Sequence, residues 1–146
     1  MTPTITQRLI VLGILGTTIG MIVALVMADP TPVPTLDKTL VAIWMVESSG
    51  RLNPPDGDSG ASIGPMQTQR ACWTDAMGFL NEDWPYEDAR DLDKALTACA
   101  AYVVGWQRHL NYPGIPETWA RIWNGGPRGP EKQATLAYWR KIQRHL

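Results

Sequence analysis

Among residues able to do chemistry, Glu47 stands out by type and spacing. Leu40, Ile43, Trp44 and Glu47 recur at helical intervals, so they share one face of a short apolar helix predicted over Leu36–Val46. Glu47 then falls at the C-terminal end of that helix, on the face that packs inward. The negative end of the helix dipole and the apolar neighbours Ile43 and Trp44 both disfavour its ionised form. A carboxyl kept protonated near neutral pH can donate a proton, as a general acid must. The competing reading is an ordinary solvated glutamate at a frayed helix end. The glycine-rich run that follows, Asp56 to Gln67, holds two candidates for a second carboxylate, Asp56 and Asp58. Both are equally readable as turn residues that bond their own backbone.

Four blocks together resemble a known family. Glu47-Ser48-Ser49-Gly50 is followed by Asp58-Ser59-Gly60-Ala61-Ser62-Ile63-Gly64-Pro65-Met66-Gln67, then by Ala120-Arg121-Ile122-Trp123-Asn124-Gly125-Gly126-Pro127-Arg128-Gly129, then by Thr135-Leu136-Ala137-Tyr138-Trp139. In this order they are similar to the invertebrate-type (destabilase-like) lysozymes and their bacterial and phage relatives, from about Leu40 to Arg144. The Asn-Gly-Gly-Pro block with Tyr-Trp downstream is specific, whereas the Glu-Ser and Gly-x-Met-Gln pieces also occur in lytic transglycosylases. The resemblance implies a mainly α, lysozyme-like fold with a small β-hairpin. It also implies a muramidase that cleaves the bond between N-acetylmuramic acid and N-acetylglucosamine in peptidoglycan strands. Glu47 would be the general acid. The resemblance selects Asp58 as the second carboxylate, which would stabilise or trap the oxocarbenium-like sugar or activate water. The separation of the two carboxyls would then decide retention or inversion. By the same resemblance Ser59, Met66, Gln67, Trp123, Asn124 and Gly125 contact the sugar, although the family usually has His where Trp123 stands. Two alternatives stay open: a lytic transglycosylase using Glu47 alone, and a non-catalytic, membrane-tethered glycan-binding protein.

The elements that must position these residues are readable in outline. Thr35 is suited to cap the first helix, and Gly50 to follow its end. Arg51–Gly64 is too rich in Gly, Pro and Asp for helix and is expected to form a hairpin or loop wall beside a cleft. A second helix is predicted over Thr68–Met77, then an exposed loop over Asn81–Asp91. A long helix starts at Asp91 or Asp93 and runs to about Leu110, with Leu92, Leu96, Cys99, Val103 and Trp106 as its core stripe. Glu117–Trp123 reads as a short helix opening into the glycine block, and Glu131–Leu146 as a final helix packed back through Tyr138 and Trp139.

Composition bounds the rest. The chain has 146 residues, enough for one compact domain, and a net charge of −1, which gives no electrostatic case for nucleic acid. Seven Trp stand against one Phe; Trp fills cores, with about half expected there, and also stacks on sugars. Two cysteines, Cys72 and Cys99, and two histidines without ligand spacing, His109 and His145, make no four-ligand metal site. A Cys72–Cys99 disulfide is expected if the domain is exported, and two buried thiols if it is not. Leu9 to Met27 is apolar and uncharged, near bilayer-spanning length, and reads as a retained anchor or a signal peptide cut after Ala28. The expected organisation is residues 1–28 as anchor or leader, 29–35 as a Pro-rich linker and 36–146 as a lysozyme-like domain. That domain would lie outside the cytoplasmic membrane and act as a monomer with no metal or organic cofactor.

Overall fold

The computed structural model describes residues 35–146. The predicted anchor or leader and all of the linker but Thr35 lie outside the described residues. Among the described residues no helix is long and apolar enough to cross a membrane.

Helix α1 spans Leu36–Ser48. Thr35 caps it, its hydroxyl accepting from the Lys38 backbone N–H at 3.5 Å. Its end is set by two successive residues in the left-handed region, Ser49 (φ 56°) and Gly50 (φ 73°). The Trp44 indole donates to the Arg51 carbonyl at 3.0 Å, so the outgoing loop is tied back onto the helix. A 3-10 turn over Asp58–Gly60 leads into a two-stranded antiparallel hairpin, β1 (Ser62–Ile63) with β2 (Thr68–Gln69). Ser62 pairs with Gln69 and Ile63 with Thr68. The hairpin therefore begins later than the predicted loop wall and ends beyond it. Pairing occupies Thr68 and Gln69, so α2 starts two residues after the expected position and spans Arg70–Leu80.

The segment expected to be a featureless exposed loop is a structural brace. It holds a 3-10 turn, Tyr86–Arg90, in which Tyr86 and Ala89 are buried. The Tyr86 hydroxyl donates to the Thr68 carbonyl at 2.6 Å and so anchors β2. Helix α3, Leu92–His109, is capped by Asp91, which accepts from the Lys94 N–H at 3.0 Å. It is the central helix, packed on α2 and on α4 (Pro116–Gly125), while α1 touches α3, α4 and α5 (Thr135–Ile142). Its buried face is Ala95, Ala98, Cys99, Tyr102 and Val103. That face is rotated from the predicted stripe: Leu92, Leu96 and Trp106 are only half-buried, because small alanines let the neighbouring helices come closest on their own side. The predicted last helix is broken into a 3-10 turn (Gly129–Glu131), α5 and a terminal 3-10 turn (Gln143–His145). The Thr135 hydroxyl holds the break, 2.8 Å from the carbonyls of Gly129 and Lys132 and accepting from Arg121 Nε at 2.9 Å.

Candidate active site

The C-terminal end of α1, the hairpin approach, α2, α3 and the end of α4 surround a cleft of about 570 Å³. Glu47 lines it from α1 and is half-buried. The Tyr138 hydroxyl, from α5, donates to Glu47 Oε1 at 2.6 Å. Burial pushes the Glu47 carboxyl above its ordinary value of 4.5. Donors from Tyr138 and Trp123 pull the other way, the Asp58 charge adds to the rise, and Lys141 weakly opposes it.

Asp58 lines the same cleft from the 3-10 turn and is exposed. Its backbone and that of Ser59 sit at φ 49° and 58°, left-handed positions that cost a non-glycine residue energy and so mark a constrained loop. Ser62 fixes this loop. Its hydroxyl lies 3.4 Å from Asp58 Oδ2 and 3.2 Å from Gln67 Oε1. Gln67 spends both amide hydrogens inside the loop, on the carbonyls of Pro55 (3.2 Å) and Gly64 (3.0 Å), so its oxygen can only accept. Asp56 behaves differently from Asp58. It forms a two-pronged pair with Arg90 at 2.6 and 2.9 Å, which holds its carboxyl below the ordinary range, and it does not line the cleft.

The far wall is the glycine block at the end of α4. Trp123, Asn124, Gly125 and Gly126 all line the cleft. Trp123 is buried and stands edge-on to Tyr102, with ring centres 6.0 Å apart. Asn124 is exposed to the cleft, and the Gly125 carbonyl accepts from Lys132 Nζ at 2.6 Å.

Several expected site residues are placed elsewhere. Met66 is fully buried and belongs to the core, because the turn between β1 and β2 directs it inward. Ser59 is exposed at the loop tip and outside the cleft lining. Gln67 borders the cleft, but its amide is already satisfied by the loop it closes. No disulfide joins Cys72 and Cys99, and both thiols are free. Cys72 on α2 turns to the cleft beside Tyr102, whereas Cys99 on α3 is sealed in the core, where burial pushes its thiol well above the ordinary range. All seven Trp are buried or half-buried, and only Trp123 reaches the cleft lining. Sequence reasoning missed Tyr102 and Lys132 as cleft residues and Tyr138 as a partner of Glu47. Tyr138 lay within the specific Tyr-Trp block, but its spacing spoke only of packing.

Among the described residues no group of three or more His, Cys, Asp or Glu is arranged to hold a metal ion. No protein-family model matches the chain. Among known proteins it is similar to Lysozyme 1 of Crassostrea virginica, with 37% identity over 82 residues, 56% of this chain and 44% of that protein. The matched stretch is thus less than half the length of that relative. It is also similar to a lysozyme of Meretrix lusoria, with 32% identity over 113 residues, 73% of this chain and 87% of the relative. Among solved structures it resembles Tapes japonica lysozyme, with a TM-score of 0.62 and 29% identity over 73% of this chain and 86% of that one. With the sequence match running over most of the Meretrix protein and the same architecture in the Tapes protein, the chain belongs to the invertebrate-type (destabilase-like) lysozymes, a family of glycosidases.

Proposed function

We propose that the protein is a muramidase that hydrolyses the bond between N-acetylmuramic acid and N-acetylglucosamine in peptidoglycan. The observation that carries this reading is the meeting of Glu47 and Asp58 on one cleft, with Glu47 half-buried and Asp58 open to solvent. Two carboxyls in unlike surroundings suit an acid and a partner in different roles, since burial favours the neutral form of Glu47 while Asp58 stands open to water. Glu47 protonates the glycosidic oxygen as the bond to the sugar breaks. Asp58 stabilises the positive charge that develops at the sugar ring, and water completes hydrolysis. Asn124 and the backbone of Gly125 offer polar contacts to the sugar from the opposite wall. The domain over residues 36–146 works outside the cytoplasmic membrane, carried there by residues 9–27 as an anchor or a cleaved leader.

The test incubates the protein, its Glu47→Gln variant and its Asp58→Asn variant with purified peptidoglycan, and weighs the released muropeptides by mass spectrometry. The expected result is hydrated, reducing-end products from the unaltered protein. Both variants should fall by about a hundredfold or more, the usual scale for losing a positioned acid or its partner. Anhydro-sugar products that survive Asp58→Asn would assign a lytic transglycosylase using Glu47 alone. No release from any of the three would assign a glycan-binding domain without catalysis.

A further inference from the structure

One side chain read from its spacing as packing closes on the Glu47 carboxyl. Tyr138 lies 91 residues away, is buried, and donates its hydroxyl hydrogen to Oε1 at 2.6 Å. A phenol has one hydrogen to give, and the Tyr138 hydroxyl makes no other hydrogen bond among the described residues. Burial and the adjacent carboxyl push this phenol well above its ordinary value of 10.0, so it stays protonated across the range where a carboxyl titrates. Oε1 is therefore an acceptor in both states of Glu47. When Glu47 is neutral, its own proton rests on Oε2.

We infer that Tyr138 is the positioning residue of the acid: it fixes Oε1, orients the carboxyl plane and leaves Oε2 as the oxygen that delivers the proton into the cleft. This rests on the reading of Glu47 as general acid. The hydroxyl is anchored by its own helix. Tyr138 is buried on α5, which packs on α1 and α4, so the donor reaches Glu47 from an element that the substrate does not displace. The other groups facing Glu47 are Trp123 from α4, Asp58 from the 3-10 turn, Lys141 from α5 and Cys99 from α3. Asp58 and Lys141 carry charge there, the Trp123 N–H is neutral, and burial holds the Cys99 thiol neutral. Removing one oxygen at Tyr138 alters none of them.

The sign of the effect follows. The Tyr138 donor stabilises the carboxylate, so its loss raises the Glu47 pKa further. The active form is the protonated one, so the alkaline limb of the pH–rate profile moves to higher pH in Tyr138→Phe. At the same time kcat falls roughly tenfold, about what one hydrogen bond to a carboxyl is worth, while KM is unchanged. The Tyr86→Phe variant removes a buried 2.6 Å hydrogen bond away from Glu47 and should lose stability without moving the limb. If Tyr138→Phe does not fold, Tyr138→3-fluorotyrosine keeps the ring and makes a stronger donor, so its limb should move to lower pH. A limb that stays in place in whichever of these variants folds overturns the inference and leaves Tyr138 as packing. The Glu47 carboxyl is titrated separately by 13C NMR in the same proteins. A pKa that moves as expected in a protein that releases no muropeptides would keep the hydrogen bond but overturn the acid reading, and the positioning role with it.

Discussion

Glu47 is held between two opposing influences, burial that favours its neutral form and two donors that favour its charge. The balance leaves the folded-state pKa above 4.5, and a raised carboxyl pKa has a definite effect on stability. Below 4.5 both folded and unfolded chains hold the proton, and the contribution of the group is fully present. As pH rises through the window between 4.5 and the folded value, the unfolded chain releases its proton first, and stability is lost. Glu47→Gln removes the titrating group. The melting temperature of the unaltered protein should therefore fall relative to that of Glu47→Gln as pH climbs through this window, and the gap should level off above it. Thermal melts of both proteins from roughly pH 4 to pH 8 check this, with a flat difference speaking against the burial penalty. The position of Glu47 was legible because helical periodicity is local. Its partner Tyr138 was not, because nothing in the spacing of two residues 91 apart says that their side chains meet.

At the scale of elements, the approach to the hairpin decides where Asp58 points. Gly57 forms an isolated bridge with Ser62, and its own φ of −91° is ordinary for any residue. The constraint there is space. A Cβ at this position would stand 2.2 Å from Gln67 Oε1 and 2.7 Å from Ser62 Oγ, the two groups that close the loop. Gly57→Ala should therefore cost about 1–3 kcal/mol, the usual cost of overpacking a tight site, and should lower kcat by displacing Asp58. Denaturant melts and steady-state rates on peptidoglycan measure the two effects; a destabilised variant with unchanged kcat would show that the loop does not position Asp58. The cap at Thr35 and the helix end at Gly50 could be read directly, since capping is a local reaction of side chain and backbone, while the start of α3 was narrowed only to Asp91 or Asp93. The hairpin register could not, because two-residue strands carry almost no period.

Over the whole molecule, one core runs from α1 through α3 to α4 and α5, and the hairpin contributes Ile63 and Met66 to it. Met66 is a test of where core ends and cleft begins. With no exposed surface, its replacement in Met66→Ala should cost about 2–5 kcal/mol and leave KM unchanged. A raised KM at undiminished stability would return it to the cleft. By itself the sequence determined the outline and order of the helices, the glutamate at the end of the first one and the family. Those features are written in local periodicity, in capping residues and in contiguous blocks. Only the tertiary structure decided that Asp58 faces the cleft while Asp56 pairs with Arg90, and that Gln67 closes its own loop. It alone also set Cys72 and Cys99 apart as free thiols and brought Tyr138 to Glu47. Most of these depend on contacts between residues distant in the chain. Such contacts are fixed by how helices and loops pack in space, and the spacing of residues along one segment does not contain that information.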